Sequence, residues 1–218
     1  EPTTRWASPD LAVGLFDGLE TLSFGADGKA YLVDLPPRFQ RLSAAGIPVI
    51  TVQHGSGTAG GAYMPGLSDV VVMVRKRSRA FLAGPPLLKA ATGEIATEEE
   101  LGGAEMHTSV SGLGEYLAED DRHALGIAKE VVAGVSFAYV ATNLIVKKPP
   151  LEIEDLLGLM SDDLRQPVDM REVIARLVDG SDFLEFKPLY GAATVCAQGA
   201  LDGHAVGVIT NNGPLDVA

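Results

Sequence analysis

Cysteine is almost missing from this sequence: Cys196 is the single one in 218 residues, so no internal disulfide framework and no cysteine-based zinc site can form. That scarcity suits a reducing compartment, and a lone Cys196 reads as a small buried hydrophobe. Positive charge is scarce too. Lysine and arginine number 17 against 29 acidic residues, giving a net charge of −12 and a pI near 4.7. A nucleic acid or an anionic membrane would need a basic face to displace its counterions, so neither is expected as a partner. No apolar run approaches the ~20 residues of a membrane span, and the opening EPTTRWASPD lacks the charged-then-apolar order of a secretory signal. The expected setting is the cytosol or, in a eukaryote, the mitochondrial matrix. The four histidines show no metal-ligand spacing. H-E-x-x-H, G-x-S-x-G, an ATP-binding glycine loop and a biotin-acceptor A-M-K-M are all missing.

What is present is apolar and glycine-rich. An apolar content of 46% can bury one good core, or one domain and part of a second. KAYLVDL, IPVITVQH and DVVVMV are short, β-branched, nearly uncharged runs and read as buried strands. PPRFQRLSAAG predicts a short helix ending at Gly46, and RKRSRA a solvated turn before Phe81. In DDRHALGIAKEVVAGV, residues Ala124, Ile127, Ala128, Val131 and Val132 fall on one stripe, with Asp120 and Asp121 at the end where the helix dipole favours carboxylates. The acidic run TEEELGG reads as a helix amino terminus facing water. The stretch NLIVKKPPLEIEDLLGLMSDDLRQPVD reads as a connector with one short helix in EIEDLLGLM. MREVIARLVDG predicts a helix closed by Gly180, and ATVCAQGALDGHAVGVITNN a hairpin turning at LDGH.

Chemistry concentrates in VITVQHGSGTAGGAYMPGLSDVVVMV, which carries five glycines and one charge. TAGGAY places Gly60 and Gly61 between a strand and a helix start, where the first amides have no internal partner. Such amides bind oxyanions, and without Cβ atoms a thioester carbonyl can approach the backbone. The competing explanation is that the glycines only allow close helix-on-strand packing.

The wider order resembles the crotonase superfamily: Pro48-Val49-Ile50, Gly55, Gly60-Gly61, Asp69, VVVMV, Ala80-Phe81 and Pro85. Within it, FLAGPPLLKAATGEIATEEELGGAEMHTSVSG, DDRHAL and VDMREVIARLVDGSDFLEFKPLYG resemble the carboxyltransferase (beta) subunits of biotin-dependent acyl-CoA carboxylases, most closely the methylcrotonyl-CoA and geranyl-CoA members. The resemblance covers about residues 29–218. It implies an α/β fold with a crotonase-like ββα spiral core: a carboxyltransferase domain over residues 1–148, a connector over 149–170, and the incomplete start of a second crotonase-like domain over 171–218.

The reaction so implied moves CO2 from carboxybiotin to carbon α or γ of an acyl-CoA. Biotin is carried by a partner biotin carboxylase/carboxyl carrier subunit, and the chain joins a homo-oligomer. Backbone amides of Gly60 and Gly61 would stabilise the enolate. Ala59, Ala62, Tyr63 and His54 would border the substrate, and His107 would lie near it. Arg75, Lys76, Arg77, Arg79 and Lys89 would meet the CoA phosphates by charge, unless they form only a solvated turn. His123 and His204 are expected to be structural or solvated. Three departures stand out. Leu87 and Leu88 occupy the place where crotonase hydratases carry glutamates. The loop after Asp34 is short, and the second domain is unfinished, so this chain alone is not expected to transfer a carboxyl group. A non-catalytic crotonase-like assembly module and an enoyl-CoA hydratase or isomerase are the alternatives.

Overall fold

The computed structural model describes residues 13–16, 22–24, 30–32, 35–134, 146–159, 163 and 166–213. They fall into two compact units, within residues 1–129 and 130–218. The division lies inside a helix, upstream of the connector expected from composition.

The first unit contains β1 (Val13–Phe16), β2 (Leu22–Phe24), β3 (Ala30–Leu32), α1 (Leu35–Ala44), β4 (Ile50–Gln53), β5 (Ser56–Thr58), α2 (Tyr63–Gly66), β6 (Val70–Val74) and β7 (Arg79–Phe81). It continues through α3 (Pro85–Thr92), α4 (Glu98–Gly102), α5 (Ala104–Met106), β8 (Tyr116–Ala118) and the start of α6 (Asp121–Gly134). Strands β1, β4, β6 and β8 form a four-stranded parallel sheet in that order. The uncharged β4 (ITVQ) and the unbroken apolar run of β6 (VVVMV) follow from this placement, because an inner parallel strand is covered on both faces. Val52, Val72, Met73 and Val74 have no exposed surface. The described part of the KAYLVDL run is β3, which pairs antiparallel with β2, while β4 lies between β1 and β6. Hydropathy marks a strand but not its partner. The short loop expected after Asp34 begins outside the described residues.

Asp69 ties the sheet to the helix before it. Its carboxylate accepts the Val49 amide at 2.7 Å and the Ser43 hydroxyl at 2.6 Å. Helix α1 ends as expected, with Gly46 at φ +75°. Helix α6 buries Ala124, Ile127 and Val131 along the predicted stripe.

The second unit holds α7 (Leu156–Leu159), α8 (Met170–Leu177) and an antiparallel sheet of β9 (Phe183–Phe186), β10 (Thr194–Leu201) and β11 (His204–Asn211). The expected hairpin forms between β10 and β11. Asp202 and Gly203 both take positive φ, +51° and +76°, as a two-residue Asp-Gly turn matching strand twist requires. The Asp179 carboxylate accepts both of their amides, at 3.0 and 2.7 Å. Gly180 does not close α8, which ends at Leu177; its positive φ serves the tight turn Asp179–Ser181 that follows.

Candidate functional site

At the carboxyl edge of the parallel sheet, β4 ends at Gln53 and the chain passes through His54 and Gly55 into β5, which pairs parallel with β7. Thr58 is extended, and Ala59–Ala62 then wind a single 3-10 turn leading into α2. Ala59 sits at φ +49°, a left-handed conformation that costs a non-glycine residue about 1 kcal/mol or more. The first amides of such a turn have no partner within it.

A Cβ built at Gly60 or Gly61 meets no atom within 4 Å, and neither residue has a positive φ. Among the described residues neither packing nor backbone conformation demands glycine there. Gly57 differs: a Cβ there would stand 3.1 Å from both Gln53 Nε2 and the Gly61 carbonyl oxygen. One glycine supports the turn from behind, and two leave its front open. Tyr63 is half exposed beside the turn, whereas Ala62 packs inward against Val71, Met73, Ala80 and Ala104.

The arginines of the basic cluster do not form an open positive patch. Arg75 bridges Glu105 at 2.9 Å and Glu119 at 3.0 Å, Arg77 pairs with Asp121 at 2.7 Å, and Arg79 holds Glu98 and Glu99 at 3.2 and 2.7 Å. The TEEE run thus has a job besides facing water: Thr97 and Glu100 form a reciprocal capping box while its neighbours bind Arg79. Lys76, exposed at φ +60°, and Lys89, exposed on α3, make no ion pair with a described residue.

His54 Nδ1 lies 2.7 Å from Asp121 Oδ1. A carboxylate only accepts, so Nδ1 carries the proton. His54 Nε2 is buried with no partner among the described residues. The hydrogen bond from His54, aided by the Arg77 charge, holds the Asp121 carboxyl below the usual aspartate range. His107, expected near substrate, has both ring nitrogens occupied: one is 2.7 Å from Ser111 Oγ and the other 2.7 Å from the Ala80 carbonyl. It fastens the wider, π-helical turn His107–Ser111 to β7. His123 accepts the Glu119 amide at 3.1 Å and is exposed, as expected for a structural residue.

Gln53, Gly57 and Ser78 were not legible as site residues. Gln53 offered one signal, a polar side chain ending an apolar strand. Ser78 offered none, because the run RKRSRA hides a hydroxyl with no exposed surface. It accepts the Val74 amide at 2.7 Å and donates to the Gln53 carbonyl. The described residues hold no metal-binding cluster and no helix long and apolar enough to cross a membrane. A cleft of about 840 Å³ in the second unit is lined by Lys147, Asp179, Asp182, Phe183 and Gln198 among others, and by none of the predicted site residues.

Comparison with known proteins bears on family and fold. A beta2 subunit of a probable biotin-dependent acyl-coenzyme A carboxylase from Mycobacterium tuberculosis is 51% identical over 172 residues, 78% of this chain and 32% of that protein. A probable mitochondrial methylcrotonoyl-CoA carboxylase beta chain from Drosophila melanogaster is 44% identical, over 80% of this chain and 33% of that one. The crystal structure of transcarboxylase 12S, a hexamer with methylmalonyl-coenzyme A bound, superposes with a TM-score of 0.70 at 32% identity, over 82% of this chain and 35% of that one. That likeness bears out the crotonase-like α/β fold expected from the sequence. The chain spans about a third of the length of these relatives. With the carboxyl transferase domain model matching residues 22–216, the chain belongs to the carboxyl transferase domain family.

Proposed function

We propose that this chain is part of a carboxyltransferase subunit that carboxylates an acyl-CoA of the methylcrotonyl or geranyl type, and that the turn Ala59–Ala62 receives the thioester oxygen. The observation that carries this reading is the open front of Gly60 and Gly61, where a Cβ would meet no described atom within 4 Å. Loss of a proton from carbon α or γ leaves negative charge on the thioester oxygen, and preorganised amides aimed at that oxygen lower the barrier. Biotin borne by a partner subunit would supply the carboxyl group and the base for the substrate proton. The chain's own residues bind and orient the thioester. None of the described residues is assigned to hold biotin.

Lys76 and Lys89 are the candidates for the CoA phosphates, because the neighbouring arginines already have carboxylate partners. Residues 171–218 open the second carboxyltransferase domain, and the assembled protein is a homo-oligomer, as the hexameric relative is. Its setting is the cytosol or the mitochondrial matrix; the Drosophila relative is named mitochondrial.

The hydratase alternative is tested directly. Leu87, exposed on the first turn of α3, and Leu88 can neither give nor take a proton. The full-length protein should bind 3-methylcrotonyl-CoA by calorimetry and should not hydrate enoyl-CoA by absorbance. Hydration above background would overturn the assignment.

A further inference from the structure

Gln53 is the last residue of β4, 4% exposed, in a strand otherwise built of Ile50, Thr51 and Val52. Its Nε2 donates to the Arg79 carbonyl at 2.6 Å and to the Gly55 carbonyl at 3.2 Å. Those carbonyls mark the start of the β5–β7 ribbon, where the Arg79 amide also donates to the Gly55 carbonyl at 3.2 Å. One side-chain amide thus fastens the ribbon to the end of the central sheet. Its orientation is determined chemically, since the reversed amide would aim its oxygen at two carbonyl oxygens. Nε2 also lies close beneath Gly57, at the point where the Gly61 carbonyl comes nearest. Ser78 holds the backbone of Gln53 itself.

We infer that Gln53, working through Gly57, is a positioning residue for the thioester-oxygen site at Gly60–Gly61, setting where its amides point without touching substrate. The inference rests on the proposed role of that turn. Strand β5 is three residues long and runs directly into the turn, so the ribbon's seat on β4 determines the placement of the amides. Oxyanion donors act over a narrow range of distance, and a shift of a fraction of an ångström weakens them.

The test compares 3-methylcrotonyl-CoA with free coenzyme A by calorimetry on the full-length protein, because only the thioester presents the oxygen. Gln53→Glu keeps the shape but replaces the donor with a carboxylate that can only accept. The wild type should prefer the thioester. Gln53→Glu should lose about tenfold in thioester affinity with coenzyme A affinity unchanged. Gly57→Ala, whose methyl group must push the Gly61 carbonyl, should show the same selective loss and serves if Gln53→Glu does not fold. Equal losses for both ligands would reduce Gln53 to a structural role, and thioester affinity unchanged in either folded variant would overturn the inference. A wild type that binds coenzyme A and its thioester alike would sink the thioester site, and Gln53's role with it.

Discussion

Replacing Gly61 by valine should lower acyl-CoA-dependent carboxylation by roughly 10²–10³-fold, the loss that follows removal of one oxyanion donor, while the protein stays folded. A Cβ at this position meets no protein atom within 4 Å, so the added isopropyl group fills the space in front of the turn and not space within the core. The φ of Gly61 is not positive, so the backbone can accept a side chain, and unfolding should shift by less than about 0.5 kcal/mol. The two readouts separate the site from the scaffold. Carboxylation at the parental rate would mean that the thioester oxygen lies elsewhere.

Ser78→Ala should act in the opposite manner, on stability first. The hydroxyl has no exposed surface, accepts the Val74 amide and donates to the Gln53 carbonyl. Its removal leaves a buried donor and a buried acceptor without partners, at about 3 kcal/mol for the two together. Urea unfolding of the full-length protein measures this, with Ser109→Ala as control, since the Ser109 hydroxyl is exposed and, among the described residues, bonds the Glu105 carbonyl alone. A Ser78→Ala loss under about 1 kcal/mol would show that both backbone groups find other partners.

These variants mark what the sequence could and could not reveal. Strands β4 and β6 were legible because burial on both faces leaves a run without charge, unbroken and apolar in β6, and the β10–β11 turn because Asp-Gly suits positive φ at both positions. Gly60 and Gly61 were visible as a pair, but the open space before them, on which the proposed thioester site rests, was not. The pairing of β3 with β2, and not beside β4, has no counterpart in periodicity. The charge of RKRSR misled in a physical way. Its arginines are answered by Glu98, Glu99, Glu105, Glu119 and Asp121, all well beyond the run itself, so the neutralisation appears only when the chain is folded. His107 stood inside a family motif, yet motif membership does not distinguish a ligand contact from an imidazole whose nitrogens both serve the fold.

Carboxyl transfer from biotin to an acyl-CoA, the proposed activity, must be blocked by avidin. The full-length protein, supplied with its biotin-carrying partner, ATP and labelled bicarbonate, should fix label in acid-stable form when 3-methylcrotonyl-CoA or geranyl-CoA is added, and avidin should abolish the incorporation. Incorporation that survives avidin, or none with either thioester while the partner's biotin is carboxylated, would rule out biotin-dependent carboxylation of these acyl-CoAs.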